Sequence, residues 1–287
     1  MGANFVALLV TGYMERANAT QIHQDPARTP SDASLIHSIN VAHSYGLRVM
    51  LKPHVDVKDG TWRGQIAPAD IQAWFNSYTD FLAHYARLAQ EHGVEVFCVG
   101  TELRSLSGQA FRTHWEKVIT KVRAEYSGPL VYAANWDEYT SVSFWDLLDY
   151  VGIDAYFPLS DARTPSVEEL VQAWAPEISA LERWQARIGK FVIFTEIGYR
   201  SIDYATKKPW DWMETASYNP EGQVNAYQAV FQALCGKPWF AGLFLWNWLP
   251  NPQAGGHGDI DYTPQNKPAQ EVLKTYFGKK VYGDSGF

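Results

Sequence analysis

Apolar positions along the chain follow two alternating rhythms. Seven short runs are almost continuously hydrophobic, the pattern of strands buried on both faces in a parallel sheet. They are Phe5 to Thr11, Leu47 to Val55, Val94 to Leu103, Leu130 to Trp136, Tyr150 to Phe157, Phe191 to Gly198 and Phe240 to Trp248. Helical spacing fills most of the intervals. From about Asp70 to Gln90, Trp74, Tyr78, Phe81, Leu82, Tyr85 and Leu88 form one apolar stripe. Trp115, Val118, Ile119 and Val122 do the same within Ser107 to Tyr126, and Val167 to Ile188 predicts a further helix that Pro176 should kink or split.

Gly46, Gly93, Gly189 and Gly236 each fall just before a predicted strand. A residue that accepts a left-handed backbone ends the helix there and turns the chain into the sheet. Repeated strand–helix alternation predicts a parallel α/β architecture. A doubly wound sheet competes with a barrel, but no G-x-G-x-x-G opens a strand–helix turn, so a dinucleotide-binding version has no support.

The polar residues favour the barrel. Lys52, His54, Glu102, Asn135, Asp154, Tyr156, Glu196 and Trp246 lie at the C-terminal ends of the predicted strands, which converge on the reactive face of a barrel. Strict alternation would put Glu102 on one face with Gly100 and Cys98, and turn Val99 and Phe97 toward the helices. With 287 residues, no linker and no low-complexity tract, the expectation is one (β/α)8 barrel domain over residues 1–287, since that fold takes roughly 250 residues.

Composition narrows the partners. A formal net charge of −7 disfavours nucleic acid. No segment is apolar enough to span a membrane. Aromatic residues make up 15% of the chain, with 12 Trp, which suits stacking on a neutral saccharide. Cys98 and Cys235 have neither metal-site nor disulfide spacing and read as free thiols. The first residues carry no signal peptide, and localisation stays open.

Two glutamates end apolar strands, Glu102 after Val-Gly-Thr and Glu196 after Ile-Phe-Thr. A carboxylate there is unfavourable unless it is paired, solvated or used. A single one reads as a rim ion pair. Two, each after Thr at a strand exit, suit glycoside hydrolysis, in which one protonates the leaving oxygen and the other attacks the anomeric carbon.

With these residues in view, the chain resembles the glycoside hydrolase clan A barrels, and most closely the family 113 β-mannanases. The segments that carry the resemblance are Val99-Gly-Thr-Glu-Leu103, Thr195-Glu-Ile-Gly-Tyr199, Leu51-Lys-Pro-His-Val-Asp56 with Asp59-Gly-Thr-Trp-Arg-Gly64, Gly152-Ile-Asp-Ala-Tyr156, and Trp246-Asn-Trp248 followed by Gly258-Asp-Ile-Asp-Tyr-Thr-Pro264. The clan's acid/base ends strand four and its nucleophile strand seven. By motif these are Glu102 and Glu196. The resemblance implies a retaining endo-β-1,4-mannanase without cofactor or metal, acting on a neutral polysaccharide or oligosaccharide. Another clan A β-glycanase, a β-mannosidase and a non-catalytic carbohydrate-binding barrel are the alternatives. Many clan members place Asn before the acid/base. Thr101 stands there, as in family 113, and Asn135 is the candidate for the contact with the sugar 2-hydroxyl.

The strand count is offset from the clan's. Glu102 ends the third predicted strand and Glu196 the sixth, so the chain is expected to lack the first β/α unit of the barrel. An open edge would invite self-association, and Lys279 to Gly283 are candidates to cover it.

The remaining roles follow the resemblance. In a retaining enzyme the two carboxyl groups lie about 5–5.5 Å apart. Tyr156 is expected to hydrogen-bond Glu196, or else to be a core tyrosine. Lys52 and His54 either bind sugar hydroxyls or pair with Asp56 or Asp154, and Asp154 either binds a hydroxyl or anchors Lys52. Trp246 is the expected platform under the scissile sugar, with Trp62, Trp136 and Trp248 lining flanking subsites or packing in the core. Arg104 and Arg200 read as rim salt bridges. His54-Val-Asp56 admits a metal reading, but no histidine ends a later catalytic strand to complete it.

Overall fold

The structure is a computed structural model that describes residues 1–278; Lys279 to Gly283 lie outside the described residues. The chain forms two compact units, Asn4–Ile153 and Met1–Ala3 with the chain from Asp154 onward.

In the first unit, β1 (Phe5–Met14) runs parallel to β3 (Arg48–Val57), in register from Phe5 opposite Arg48 to Met14 opposite Val57. A two-residue β2 (His23–Gln24) pairs antiparallel with the end of β1. β4 (Val96–Thr101) lies parallel to β3, and β5 (Leu130–Asn135) parallel to β4. β6 (Tyr150–Asp154) follows. The helices α1 (Asp32–Ser44), α2 (Ile71–Glu91) and α3 (Arg112–Glu125) connect the strands. In the second unit β7 (Val192–Ile197) is parallel to β8 (Phe240–Leu245), with α4 (Val167–Ile188), α5 (Pro220–Leu234) and α6 (Ala269–Phe277). Among the described residues no helix is long and apolar enough to cross a membrane.

The seven expected strands are the seven long ones, and only the short β2 was unforeseen. The stripe on α2 is buried throughout, and Asp70 caps that helix by accepting the Ala73 N–H at 2.9 Å. α3 starts later than its stripe suggests, because two 3₁₀ turns, Arg104–Leu106 and Gln109–Phe111, come first. α4 runs unbroken through Pro176, correcting the expected split. Proline removes one hydrogen bond near the middle of a 22-residue helix. The Ser166–Glu169 capping box, the buried stripe from Leu170 to Trp184 and the left-handed Gly189 at its end hold the helix on either side.

Strict alternation fails in β4. The register with β5 shifts between Cys98 and Thr101, the mark of a bulge. Phe97 faces Tyr126, next to the end of α3. Gly100, three residues on, also points at the helix layer, where a Cβ would lie 2.8 Å from the Tyr78 hydroxyl, 3.0 Å from Tyr132 and 3.1 Å from Trp115. Gly100 is therefore turned away from the face that alternation assigns it, and the bulge sets the direction of the residues that follow. Its missing side chain makes room for a dense aromatic layer. Trp74 stacks on Tyr78 at 4.8 Å, and Trp115 stacks on Phe144 at 4.2 Å and meets Tyr132 edge-on.

Gly100→Ala is expected to destabilise the protein by about 1–3 kcal/mol, the usual penalty for overpacking. Chemical denaturation measures it, and an unchanged midpoint would show that the aromatic layer yields freely.

Candidate functional site

Glu102 directly follows β4 with φ +51°, a left-handed backbone that non-glycine residues rarely adopt. The conformation is held by its neighbours. The Glu102 N–H donates to the Ala133 carbonyl at 2.8 Å, and the Leu103 N–H to the Tyr132 hydroxyl at 2.9 Å. The Trp62 indole N–H donates to Glu102 Oε2 at 3.2 Å, and Arg63 Nη1 lies 3.7 Å from the same oxygen. Arg63 is fixed from the other side by Asp56 Oδ1, which accepts from Nε at 3.1 Å and Nη2 at 2.5 Å. Asp56 is thus a partner of Arg63.

Lys52 and His54 share one face of β3 and are almost fully buried, at 1% and 3% exposure. Burial first, then the charges of Arg63 and Lys52, hold the His54 pKa well below the ordinary histidine value, so its imidazole is neutral.

Asn135 ends β5, and its side-chain amide donates to Asp137 Oδ1 at 2.8 Å. Asp137 also accepts from Arg104 at 2.8 Å, the ion pair expected for that arginine. Trp136 is half-buried. One residue further, Glu138 is completely buried. Its Oε1 accepts from the Tyr132 hydroxyl at 2.8 Å and its Oε2 from the Asn135 N–H at 3.0 Å. Burial, only partly offset by donors from Ser107, Asn135 and Tyr132 and aided by the charge of Glu102, pushes its pKa up to about 7.

In the second unit, Glu196 sits on β7 with 8% exposure. The Tyr156 hydroxyl donates to Glu196 Oε2 at 2.9 Å, as the resemblance implied. Burial and the neighbouring charges of Glu196 and Asp154 keep the Tyr156 pKa well above that of an ordinary phenol, so it stays a donor. The fully buried Asp154 accepts from the Thr195 hydroxyl at 2.8 Å. Trp246 follows β8, and its N–H donates to the Ile197 carbonyl at 2.8 Å. The Trp246 carbonyl would lie 2.4 Å from a Cβ on Gly198, so only glycine lets the β7 exit pass this close to the β8 exit. Trp248 is 48% exposed and Trp62 37%, whereas Trp246 is half-buried. Arg200 donates to the Glu214 carbonyl at 2.5 Å, a backbone partner in place of the expected carboxylate.

The structure thus joins Trp62, Arg63 and Glu102 in one cluster, Asn135 and Asp137 in a second, and Tyr156 with Glu196 and Thr195 with Asp154 in the other unit. Sequence reasoning did not single out Arg63 or Glu138. Arg63 lies inside a segment that carried the resemblance. Glu138 sits in a polar Trp-Asp-Glu-Tyr stretch that looks like surface.

A family model described as Glycoside Hydrolase Family 113 matches residues 1–267. No curated protein matches the sequence. Among solved structures, the GH113 β-mannanase AaManA of Alicyclobacillus acidocaldarius, in complex with ManMIm, is 32% identical. That match covers 97% of this chain and 88% of the other with a TM-score of 0.88. A GH113 β-1,4-mannanase in a complex structure is 27% identical over 96% of this chain and 88% of its own, also at 0.88. A β-glucuronidase of Ruminococcus gnavus, 15% identical, covers 84% of this chain and 42% of its own at 0.63 and shares the fold alone. These likenesses fix the fold class as α/β, of the (β/α)8-barrel type.

The raised pKa of Glu138 has a consequence for stability. The unfolded carboxyl loses its proton near pH 4.5 and the folded one near 7. Between those values the native state holds the extra proton, so the Glu138 contribution to stability falls as pH rises, by about 3 kcal/mol in all. Glu138→Gln has no such titration and should gain that much relative to the unmodified protein between pH 4.5 and 7.5. Denaturant midpoints at several pH values measure the gain, and parallel curves for the two proteins would contradict it.

Proposed function

The chain belongs to glycoside hydrolase family 113, and on that premise we propose that it is an endo-β-1,4-mannanase, with the whole chain as its catalytic domain, cleaving mannan and mannooligosaccharides with retention of anomeric configuration. The observation that carries the reading is the setting of the two motif glutamates. Each stands at a strand exit with a fixed donor on Oε2, Trp62 for Glu102 and Tyr156 for Glu196. The two GH113 relatives described as β-mannanases support mannan as the substrate class.

Glu196 is the nucleophile. It attacks the anomeric carbon as the glycosidic C–O bond breaks, and Glu102 delivers its proton to the departing oxygen. The sugar remains as an ester on Glu196. A water molecule then gives a proton to Glu102 while its oxygen attacks the anomeric carbon, and Glu196 leaves as a carboxylate. Two inversions at one carbon give net retention. The Tyr156 hydroxyl, held protonated, donates to Glu196 Oε2 and orients the carboxyl group. The Trp62 N–H occupies Glu102 Oε2 and places the transferable proton on Oε1.

Lys52, His54 and Asn135 supply partners for sugar hydroxyls, while Asp154 is fully buried and accepts from Thr195. Trp246 is the platform beneath the scissile sugar, and Trp62, Trp136 and Trp248 flank it. An indole face covers the apolar C–H face of a pyranose while the hydroxyls stay hydrated, which suits the exposed edges of Trp62 and Trp248.

Digestion of mannohexaose and cellohexaose, with the newly released anomer followed by proton NMR, tests the proposal. Shortened mannooligosaccharides in the β configuration are expected, with little or no cleavage of cellohexaose. An α anomer released first would remove the retaining mechanism, and preferred cleavage of cellohexaose would remove the mannan assignment. Glu196→Ala should lower kcat on the order of 10⁴-fold or more while saccharide binding persists. Binding without hydrolysis by the unmodified chain would favour a carbohydrate-binding protein instead.

A further inference from the structure

Behind the β4 exit lies a carboxyl group that the proposed reaction does not use. Glu138 has no exposed surface, and each of its contacts leads to a residue of the acid/base limb. Its Oε1 accepts from Tyr132, whose hydroxyl oxygen in turn accepts the N–H of Leu103, the residue after Glu102. Its Oε2 accepts the N–H of Asn135. Ser107, from the chain that leaves Glu102, also acts on the carboxyl, lowering its proton affinity. The Glu138 N–H donates to the Asn135 carbonyl at 2.9 Å, and the Ser141 N–H and hydroxyl both return to the Glu138 carbonyl at 2.8 Å. One side chain therefore ties the loop after β4 to the loop after β5.

We propose that Glu138 is the positioning residue of the acid/base: through Tyr132 it fixes the backbone that aims Glu102. The proposal rests on the reading of Glu102 as acid/base. The charged and titratable groups facing Glu138 are Glu102 from the β4 exit and Tyr132 from β5, with Tyr78 of α2 acting on Tyr132 from behind. On its own loop, Asp137 is paired with Arg104.

Glu138→Gln and Tyr132→Phe test the arrangement on mannan and mannohexaose. Glu138→Gln preserves the shape and removes the charge. It should lower kcat about tenfold with KM unchanged within a factor of two. Tyr132→Phe breaks the link to Leu103 and should lower kcat similarly. A Glu138→Gln enzyme with unchanged kcat, or one whose KM rises as its kcat falls, overturns the proposal, because a loss of aim acts on kcat alone. Hydrogen exchange at the Leu103 amide needs no substrate. It should quicken at least tenfold in Tyr132→Phe, and unchanged exchange would also overturn the proposal. If the unmodified protein leaves mannan intact, the mannanase reading fails by itself, and Leu103 exchange still decides whether this link exists.

Discussion

The hydrogen bond from the Leu103 N–H to the Tyr132 hydroxyl is the contact on which the β4 exit depends. A glutamate in the left-handed region is disfavoured by about 1–3 kcal/mol, and it persists only where its surroundings over-determine it. Here the Glu102 N–H reaches Ala133, the next N–H reaches Tyr132, and Tyr132 is wedged in an aromatic layer with Trp115 and Phe144. The absence of a side chain at Gly100 admits that layer against the strand. The aim of one carboxyl group thus traces back through a phenol to a glycine two residues earlier in the chain.

Partners then set the chemistry of each acidic group. Glu102 has an indole N–H and a guanidinium already engaged with Asp56, so Arg63 is a shared cation and not a full counter-charge. Glu196 has a phenol that burial keeps protonated. Glu138 is wholly enclosed and is served only by neutral donors, and burial dominates its proton affinity. Three glutamates of one chain occupy three electrostatic settings because of what donates to them, which is the usual means by which a fold separates acid from base at one pH.

The strand–helix order was legible because buried parallel strands and amphipathic helices write their burial directly into hydrophobic spacing. The two glutamates were legible because a charge at the end of an apolar strand is conspicuous. The β4 bulge was not, since the extra residue leaves the apolar run intact while shifting its phase after Cys98. Counting alternation through Val99 and Gly100 therefore gave the wrong side for Gly100. Nor was the uninterrupted passage of α4 through Pro176, which rests on tertiary packing of Trp174, Ile178 and Leu181 against local preference. Glu138 was hidden for a third reason. Its burial draws on Tyr132 back on β5 and on Ser107 far earlier in the chain, and the polar stretch around it does not record that enclosure.

The chemistry around β3 agrees with a neutral substrate for a reason that net charge alone does not supply. Burial comes first, and the charges of Arg63 and Lys52 act in the same direction, so the His54 imidazole is uncharged. A neutral imidazole carries one donor and one acceptor, the same complement that a sugar hydroxyl offers in return. An imidazolium would offer donors only and would favour an anion. Arg63, 3.7 Å from Glu102, is already matched by Asp56 and Glu102, so it presents little unopposed positive charge to a ligand. The overall charge of −7 makes polyanions poor partners at a distance. The pairing of Arg63 and the neutrality of His54 carry the same preference down to contact range, where selection among saccharides depends on hydroxyl geometry and not on charge.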